Sequence, residues 1–336
     1  MKGFILAAGF GTRLRPITYT LPKPMVPLCN RPLIGWAVES FLSASVHELI
    51  VNLHHLPEPL QDFLRAEYAG RADFHFSIEE EILGTGGAIR RVRPQLEPDE
   101  EFFLVNGDTI QFPPWNALRD ARRAKHALAA LTLRHPPEGD RFTPVYFDDG
   151  LVTGFGEGTG EPLMFSGSHV ISTRIFEHLP GREFSGIVEH AYRPAMANGA
   201  RLAGVVDDGL WFDIGTPQRY LGASSALLDA MVQGTLAPPE HSRVTGDSLL
   251  HTSASGRASH STAGARSVIE GHVRDSIVWE DCRIARGVTL ERCIVGHGVA
   301  LAEGEYRDAV IVRDDPRIPA EHERRNGNVI ATRIEN

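Results

Sequence analysis

Short apolar runs alternate with helical stripes through the first third of the chain. Residues 3–8 (GFILAA) form a continuous apolar run of strand length, the pattern of a parallel strand buried on both faces. In PLIGWAVESFL, residues Leu33, Ile34, Ala37, Val38 and Phe41 recur at spacings that mark one face of a helix. The alternation continues with ELIVNL (48–53) as strand, EPLQDFLRAEY (58–68) as helix, DFHFSIE (73–79) as strand, GGAIRRVRPQL (86–96) as helix and EFFLVNGD (101–108) as strand. This order, βαβαβαβ, predicts an α/β fold: a Rossmann-like, mostly parallel sheet with helices on both faces. Ligands of such sheets lie beyond the carboxyl ends of the strands, and LAAGFG and VNGD both fall at such ends.

The pattern loosens between residues 128 and 211 into strands (HALAALTLRH, TPVYFDD, PLMFSGSHVIS, ARLAGVV) with helices near 173–180 and 187–198. After GLWFDIGTP a further helix, PQRYLGASSALLDAMVQ, has proline at its first turn, where a missing amide hydrogen costs nothing. Gly, Ser, Thr, Pro and His then dominate a stretch that reads as a linker over 236–266, which would close a first domain at 1–235. Beyond it, Ile277-Val278 and Ile294-Val295 lie 17 residues apart and Val310-Ile311 follows 16 later. Short apolar strands at near-constant spacing are the mark of stacked coils, so 267–336 is expected to form a short parallel β-helix.

Charge changes this picture in one place. The chain carries 43 acidic and 34 basic side chains, a net charge of −9, which argues against nucleic acid as a partner. Yet Lys2, Arg13, Arg15, Lys23 and Arg31 all precede the first carboxylate, Glu39. Such segregation points to a local positive field facing a polyanion. Three cysteines (Cys29, Cys282, Cys293) cannot make a paired framework, which fits a reducing, cytoplasmic setting. Cys282 and Cys293 are expected to pack inside the coils as small hydrophobes. The start, MKGFILAAGF, has the lysine and apolar run of a signal peptide, but glycines interrupt it and Arg13 and Arg15 follow. No apolar stretch reaches the ~20 residues of a membrane span. His54-His55 follow a strand with side chains on opposite faces, a poor chelating pair.

Three of those basic residues, Arg13, Arg15 and Lys23, sit in LAAGFGTRLRPITYTLPKPM (6–25). Gly9 and Gly11 after a strand allow a tight turn whose amides can point at phosphate oxygens. Arg13 offers a fork for bidentate phosphate contact and Lys23 a movable point charge. Pro22 and Pro24 stiffen the backbone around Lys23 and reduce the entropy lost in holding it. A dinucleotide fingerprint fails because Leu14 takes the third glycine position, and a Walker loop fails because no Gly-Lys-Ser/Thr follows.

The motif G-x-G-T-R-L-x-P-x-T followed by P-K-P-M resembles the signature of the sugar-1-phosphate nucleotidylyltransferases, the nucleotide-sugar pyrophosphorylases. The resemblance continues through LGTGGAI (83–89), VNGD (105–108), FSGSHVIS (165–172) and WFDIGTPQRYL (211–221), in the family's order. It is closest to the mannose-1-phosphate and heptose-1-phosphate guanylyltransferase branch, many of whose relatives carry a short left-handed β-helix. It implies that a sugar-1-phosphate oxygen attacks the α-phosphorus of a nucleoside triphosphate and pyrophosphate leaves, so positioning and charge neutralisation are most of the task.

On that resemblance Arg13, Lys23 and Asp108 are the catalytic candidates, with Asp108 and Asp213 holding Mg²⁺. Leu6, Ala7, Ala8, Gly9, Gly11, Thr12, Gly84, Thr85, Gly86, Asn106 and Gly107 would line the nucleotide, the glycines letting a flat base lie against backbone. Glu80 or Glu81 would accept from guanine and favour GTP, or else belong to a solvated acidic run. Gly167 and Glu189 match sugar-binding positions, although Glu189-His190 stands where many relatives have Glu-Lys. The partners implied are a nucleoside triphosphate, a sugar 1-phosphate and a second copy of the chain in a homodimer. UTP- or dTTP-dependent transfer and a catalytically silent nucleotide-sugar sensor are the alternatives. An acyl-transferring β-helix is disfavoured, because 267–336 offers too few coils for a donor groove.

Overall fold

The alternating elements form one nine-stranded sheet. In order across it run Asp73–Ile78, Glu48–Leu53, Lys2–Leu6, Glu101–Asn106, Glu161–Ser172, Ala129–Arg134, Leu202–Val206, Leu151–Phe155 and Val145–Asp148. The computed structural model describes residues 1–137, 139, 141–181, 184–319, 324–325 and 328–334. The chain divides into two units, one made of Met1–Gly9 and Ile34–Trp211 and the other of Phe10–Leu33 and Phe212–Asn336. The nine-stranded sheet belongs to the first.

Its first four strands are parallel, as the alternation predicts. The sheet as a whole is mixed, which corrects the expectation of a mostly parallel one. Strand Glu161–Ser172 runs antiparallel to each of Glu101–Asn106, Ala129–Arg134 and Val145–Asp148, and beyond it Ala129–Arg134 and Leu202–Val206 pair in parallel. A strand pattern encodes burial and leaves direction open, so PLMFSGSHVIS could not reveal this. Both faces are covered, as the unbroken apolar runs require. On one face Phe103 stacks on Trp115, at 4.8 Å between ring centroids, and Trp115 stacks on Phe41 of helix Leu33–Ser43. On the other, Phe4, Phe102 and Leu104 pack with Ile89, Val92 and Leu96.

Three helices depart from the expected outline. The stretch expected as one helix over 86–96 is two, Gly84–Arg91 and Arg93–Leu96, because Pro94 cannot supply an interior amide. Residues Thr173–Glu177 form only a 3₁₀ turn, and the helix near 187–198 begins as a π turn, Val188–Tyr192, before Arg193–Ala197. Among the described residues no helix is long and apolar enough to cross a membrane.

In the second unit, short parallel strands stack in register through Leu249, Thr262, Ile277, Ile294 and Val310. Ala263, Val278, Val295 and Ile311 form an inner column, with Cys282 and Cys293 buried beside it. Burial pushes the Cys282 thiol up to about 12 and that of Cys293 to about 11, so both are packing groups rather than nucleophiles. The stack begins inside the stretch expected as a linker: 236–266 holds strands Ser242–Thr245, Ser248–His251 and Thr262–Ala263. Its serines have a structural task that composition disguised. The amide of Ser261 donates to Ser248 Oγ, that of Ser276 to Ser261 Oγ and that of Cys293 to Ser276 Oγ, so each hydroxyl caps the next rung. The expected boundary at 235 is likewise cut differently. Tyr220 of helix Pro217–Val232 donates to the Pro27 carbonyl and accepts from Trp279 Nε1 at 3.0 Å, while Asn30 Nδ2 donates to the Ala263 carbonyl at 3.1 Å. Residues 10–33 therefore pack with the coils. Positions 320–323, 326–327 and 335–336 of the expected last domain lie outside the described residues.

Candidate active site

In the first unit, the carboxyl ends of parallel strands bring the nucleoside candidates together. Leu6 is in register with Asn52 on one side and Asn106 on the other, and the Gly107 amide donates to the Leu6 carbonyl at 2.8 Å. Ala7 and Ala8 are buried behind this edge and Gly9 is exposed. Thr109 Oγ1 closes the Asn106–Asp108 turn by donating to the Asn106 carbonyl. A buried chain supports that turn: Gln111 donates to Thr109, and the Ser166 and Ser168 hydroxyls converge on Gln111 Oε1, each at 3.1 Å. Asp108 is thereby held half-buried beyond the sheet edge.

Helix Gly84–Arg91 begins beside the same edge. The amides of Gly86 and Gly87 donate to the Ser185 carbonyl, at 2.8 and 3.2 Å, and the Ser185 amide returns a bond to Leu83. These two amides fasten the loop to Ser185. Of the three consecutive acidic residues, Glu79 is buried and Glu80 and Glu81 are exposed.

The sugar candidates lie on two neighbouring elements of this unit. Gly167 sits where the register breaks between Phe165 and His169, packed against the carboxamide of Asn106. Glu189 lies exposed on the π turn, where the Gly186 amide donates to His190 Nδ1 at 2.9 Å. His190 thus has Nδ1 engaged as an acceptor. Tyr192 Oη and His169 Nδ1 lie 2.7 Å apart, tying the π turn to the strand that bears Gly167. Burial pushes His169 down to about 3, so the ring is neutral.

The second unit carries the cationic candidates. Gly11 adopts φ 63°, and a side chain there would bring its Cβ within 2.8 Å of Lys23 Cβ, so glycine is required for the turn to close over Lys23. The Thr18 hydroxyl and the Leu14 amide both donate to the Gly11 carbonyl. Thr12 and Arg13 follow on an exposed turn, while Lys23 is only 6% exposed. Arg15 is exposed and lies over the Tyr19 ring, 4.5 Å from its centroid. Asp213 accepts from Arg219 Nη1 at 3.0 Å, and Thr216 caps the helix that carries Arg219.

The model of the nucleotidyl transferase family matches residues 2–230. The chain belongs to the nucleotidyl transferase family. Among relatives of this nucleotidyl transferase, the mannose-1-phosphate guanyltransferase of Hypocrea jecorina is 30% identical over 279 residues, 76% of this chain and 72% of the relative. That of Schizosaccharomyces pombe is 30% identical over 267 residues, with the same coverage of both chains. The crystal structure of HddC from Yersinia pseudotuberculosis complexed with GMP-PN shares the fold at a TM-score of 0.57 and 24% identity, covering 67% of this chain and 99% of that one. The protein is thus an enzyme of the sugar-phosphate nucleotidyltransferase class, a class that generally depends on a metal.

One contact in the second unit gives this nucleotidyl transferase a sharp test. A methyl added at Gly215 would lie 2.9 Å from Arg13 Nη2. Gly215→Ala is expected to displace the guanidinium and lower kcat/KM about 10-fold, the order of one lost charged hydrogen bond. Gly222, an exposed helical glycine with nothing within 4 Å of an added Cβ, is the control. Gly222→Ala should keep full activity and raise Tm.

Two residues of this nucleotidyl transferase escaped the sequence reading. Asn52 and Glu79, 4% and 2% exposed, form a buried hydrogen-bonded pair between the Ala7 amide and the Leu83 amide. Their only signal was a polar residue, Asn52, set between apolar Val51 and Leu53.

Proposed function

We propose that the protein transfers GMP from GTP to mannose 1-phosphate or a heptose 1-phosphate, with Mg²⁺, forming a GDP-sugar. The reading is supported by the guanyltransferases that share 30% identity over 76% of this chain. In the reaction an oxygen of the sugar phosphate bonds to the α-phosphorus of GTP as the bond from that phosphorus to the bridging oxygen breaks, and pyrophosphate leaves with the electron pair. Arg13 and Lys23 hold the triphosphate and take up charge as it moves onto the leaving group. Leu6, Ala7, Ala8, Gly9, Gly11, Thr12, Gly84, Thr85, Gly86, Asn106 and Gly107 seat the nucleotide, with exposed Glu81 toward the guanine edge. Gly167 and Glu189 meet the sugar hydroxyls, and His190 offers Nε2 where a lysine would offer an ammonium.

Two carboxylates are a donor set suited to a hard divalent cation, and the Arg219 contact orients Asp213 as an outer partner does a ligand. Asp108 and Asp213 would hold Mg²⁺, which when bound supplies charge neutralisation between the two anions. The coils are proposed to wind as a short left-handed β-helix that joins two copies of the chain in a cytoplasmic homodimer.

Pyrophosphate release over a grid of four nucleoside triphosphates against several sugar 1-phosphates tests the whole reading. The expected maximum is GTP with a mannose or heptose 1-phosphate. A maximum with UTP or dTTP would reassign the base, and no release with any pair would leave a nucleotide-sugar sensor.

A further inference from the structure

We infer that Asn52 and Glu79 are positioning residues that set the spacing of the two backbone segments on which the nucleoside lies. This rests on the reading that Leu6–Gly9 and Gly84–Gly86 take the nucleotide. The Ala7 amide donates to Asn52 Oδ1 at 2.7 Å, Asn52 Nδ2 donates to Glu79 Oε1 at 2.8 Å, and the Leu83 amide donates to Glu79 Oε2 at 3.0 Å. One continuous bridge of side chains thus runs from the end of the first strand to the start of the glycine-rich helix.

The bridge has a fixed polarity. The Ala7 amide can only donate, so the carboxamide must turn its oxygen to Ala7 and its NH₂ to Glu79. Both Glu79 oxygens then face N–H donors, a demand that glutamine cannot meet. The backbone at Glu79 is anchored too: its amide donates to the Leu53 carbonyl at 2.7 Å, and its carbonyl lies 2.7 Å from His54 Nδ1. A buried carboxylate costs free energy unless its hydrogen bonds are complete. Here completeness depends on the two loops standing at one separation, so the bridge converts a hydrogen-bond requirement into a fixed distance between the surfaces that clasp the nucleoside.

The polarity supplies the test. Glu79→Gln sets an N–H against an N–H at one end of the bridge, and Asn52→Asp sets a carboxylate against a carboxylate. The double variant Asn52→Asp/Glu79→Gln restores the order: the new carboxylate accepts from Ala7 and from the new amide, whose carbonyl accepts from Leu83. Each variant of the full-length protein is measured for Tm, for binding of the triphosphate that serves the wild type best, and for KM of both substrates. The single variants are expected to raise KM and Kd for the nucleotide about 10-fold or more, with KM for the sugar 1-phosphate within about 3-fold. The double variant should return to within about 3-fold of the wild type.

Single variants that bind nucleotide as the wild type does overturn the inference. A double variant that fails to fold, or folds without regaining affinity, overturns it as well. Should the singles not fold, the double alone decides. A wild type that binds no nucleoside triphosphate would sink the functional reading instead, and recovery of Tm in the double would then still reveal the bridge itself.

Discussion

Asp108→Asn and Asp213→Asn are each expected to lower turnover roughly 100- to 1,000-fold while the fold survives. Asparagine keeps the shape and one acceptor of aspartate but removes the charge that a divalent cation needs. The structural cost is small at both places. Asp108 is half-buried in a turn closed by Thr109, whose bond goes to the Asn106 carbonyl and is untouched by the substitution. At Asp213 the loss is a part-exposed ion pair with Arg219, worth about 0–1 kcal/mol. Pyrophosphate release at saturating substrates and excess Mg²⁺ measures the effect, and circular dichroism checks the fold. Turnover near wild type in both variants removes the metal assignment.

Lys23→Ala is expected to cost about 100-fold in kcat/KM and Arg15→Ala no more than about 3-fold. The two cations sit in the same basic segment, and their surroundings separate them. Lys23 is only 6% exposed under the Gly11 turn and lies between two prolines, so its ammonium is held in place before any substrate arrives. Arg15 is exposed and rests on Tyr19, a contact worth about 0.5–1 kcal/mol at an exposed site. Steady-state kinetics over both substrates decides between them. The reverse order of damage would mean that the phosphates follow another path.

The parallel half of the sheet was legible because a strand buried on both faces is apolar through its middle, as GFILAA, the LIV of ELIVNL and the FFLV of EFFLVNGD are. The basic motif was legible because solvation alone gives no reason to segregate Arg13 and Lys23 from every carboxylate. The direction of strand Glu161–Ser172 was hidden, since a strand-length pattern reads the same either way. Composition misled over 236–266, where Ser261 and its neighbours resemble a solvated linker. Their hydroxyls instead cap amides one rung away, a pairing visible only once the rungs are stacked. The acidic run at 79–81 hid its important member for a similar reason. Glu79 differs from Glu80 and Glu81 only through Asn52 and Leu83, both supplied by other parts of the chain.

The packing of residues 10–33 with the last third of the molecule has a consequence for biosynthesis. This segment is synthesised well before its partners: Cys29 meets the Ser224 carbonyl 195 positions later and Asn30 meets Ala263 after 233. Closing loops of that length is slow, because the chain entropy must be lost before the contacts reward it. A nascent chain that stops short of the coils therefore carries its glycine-rich motif without the contacts to Ser224 and Ala263, and the segment gains them only once residue 263 has been made.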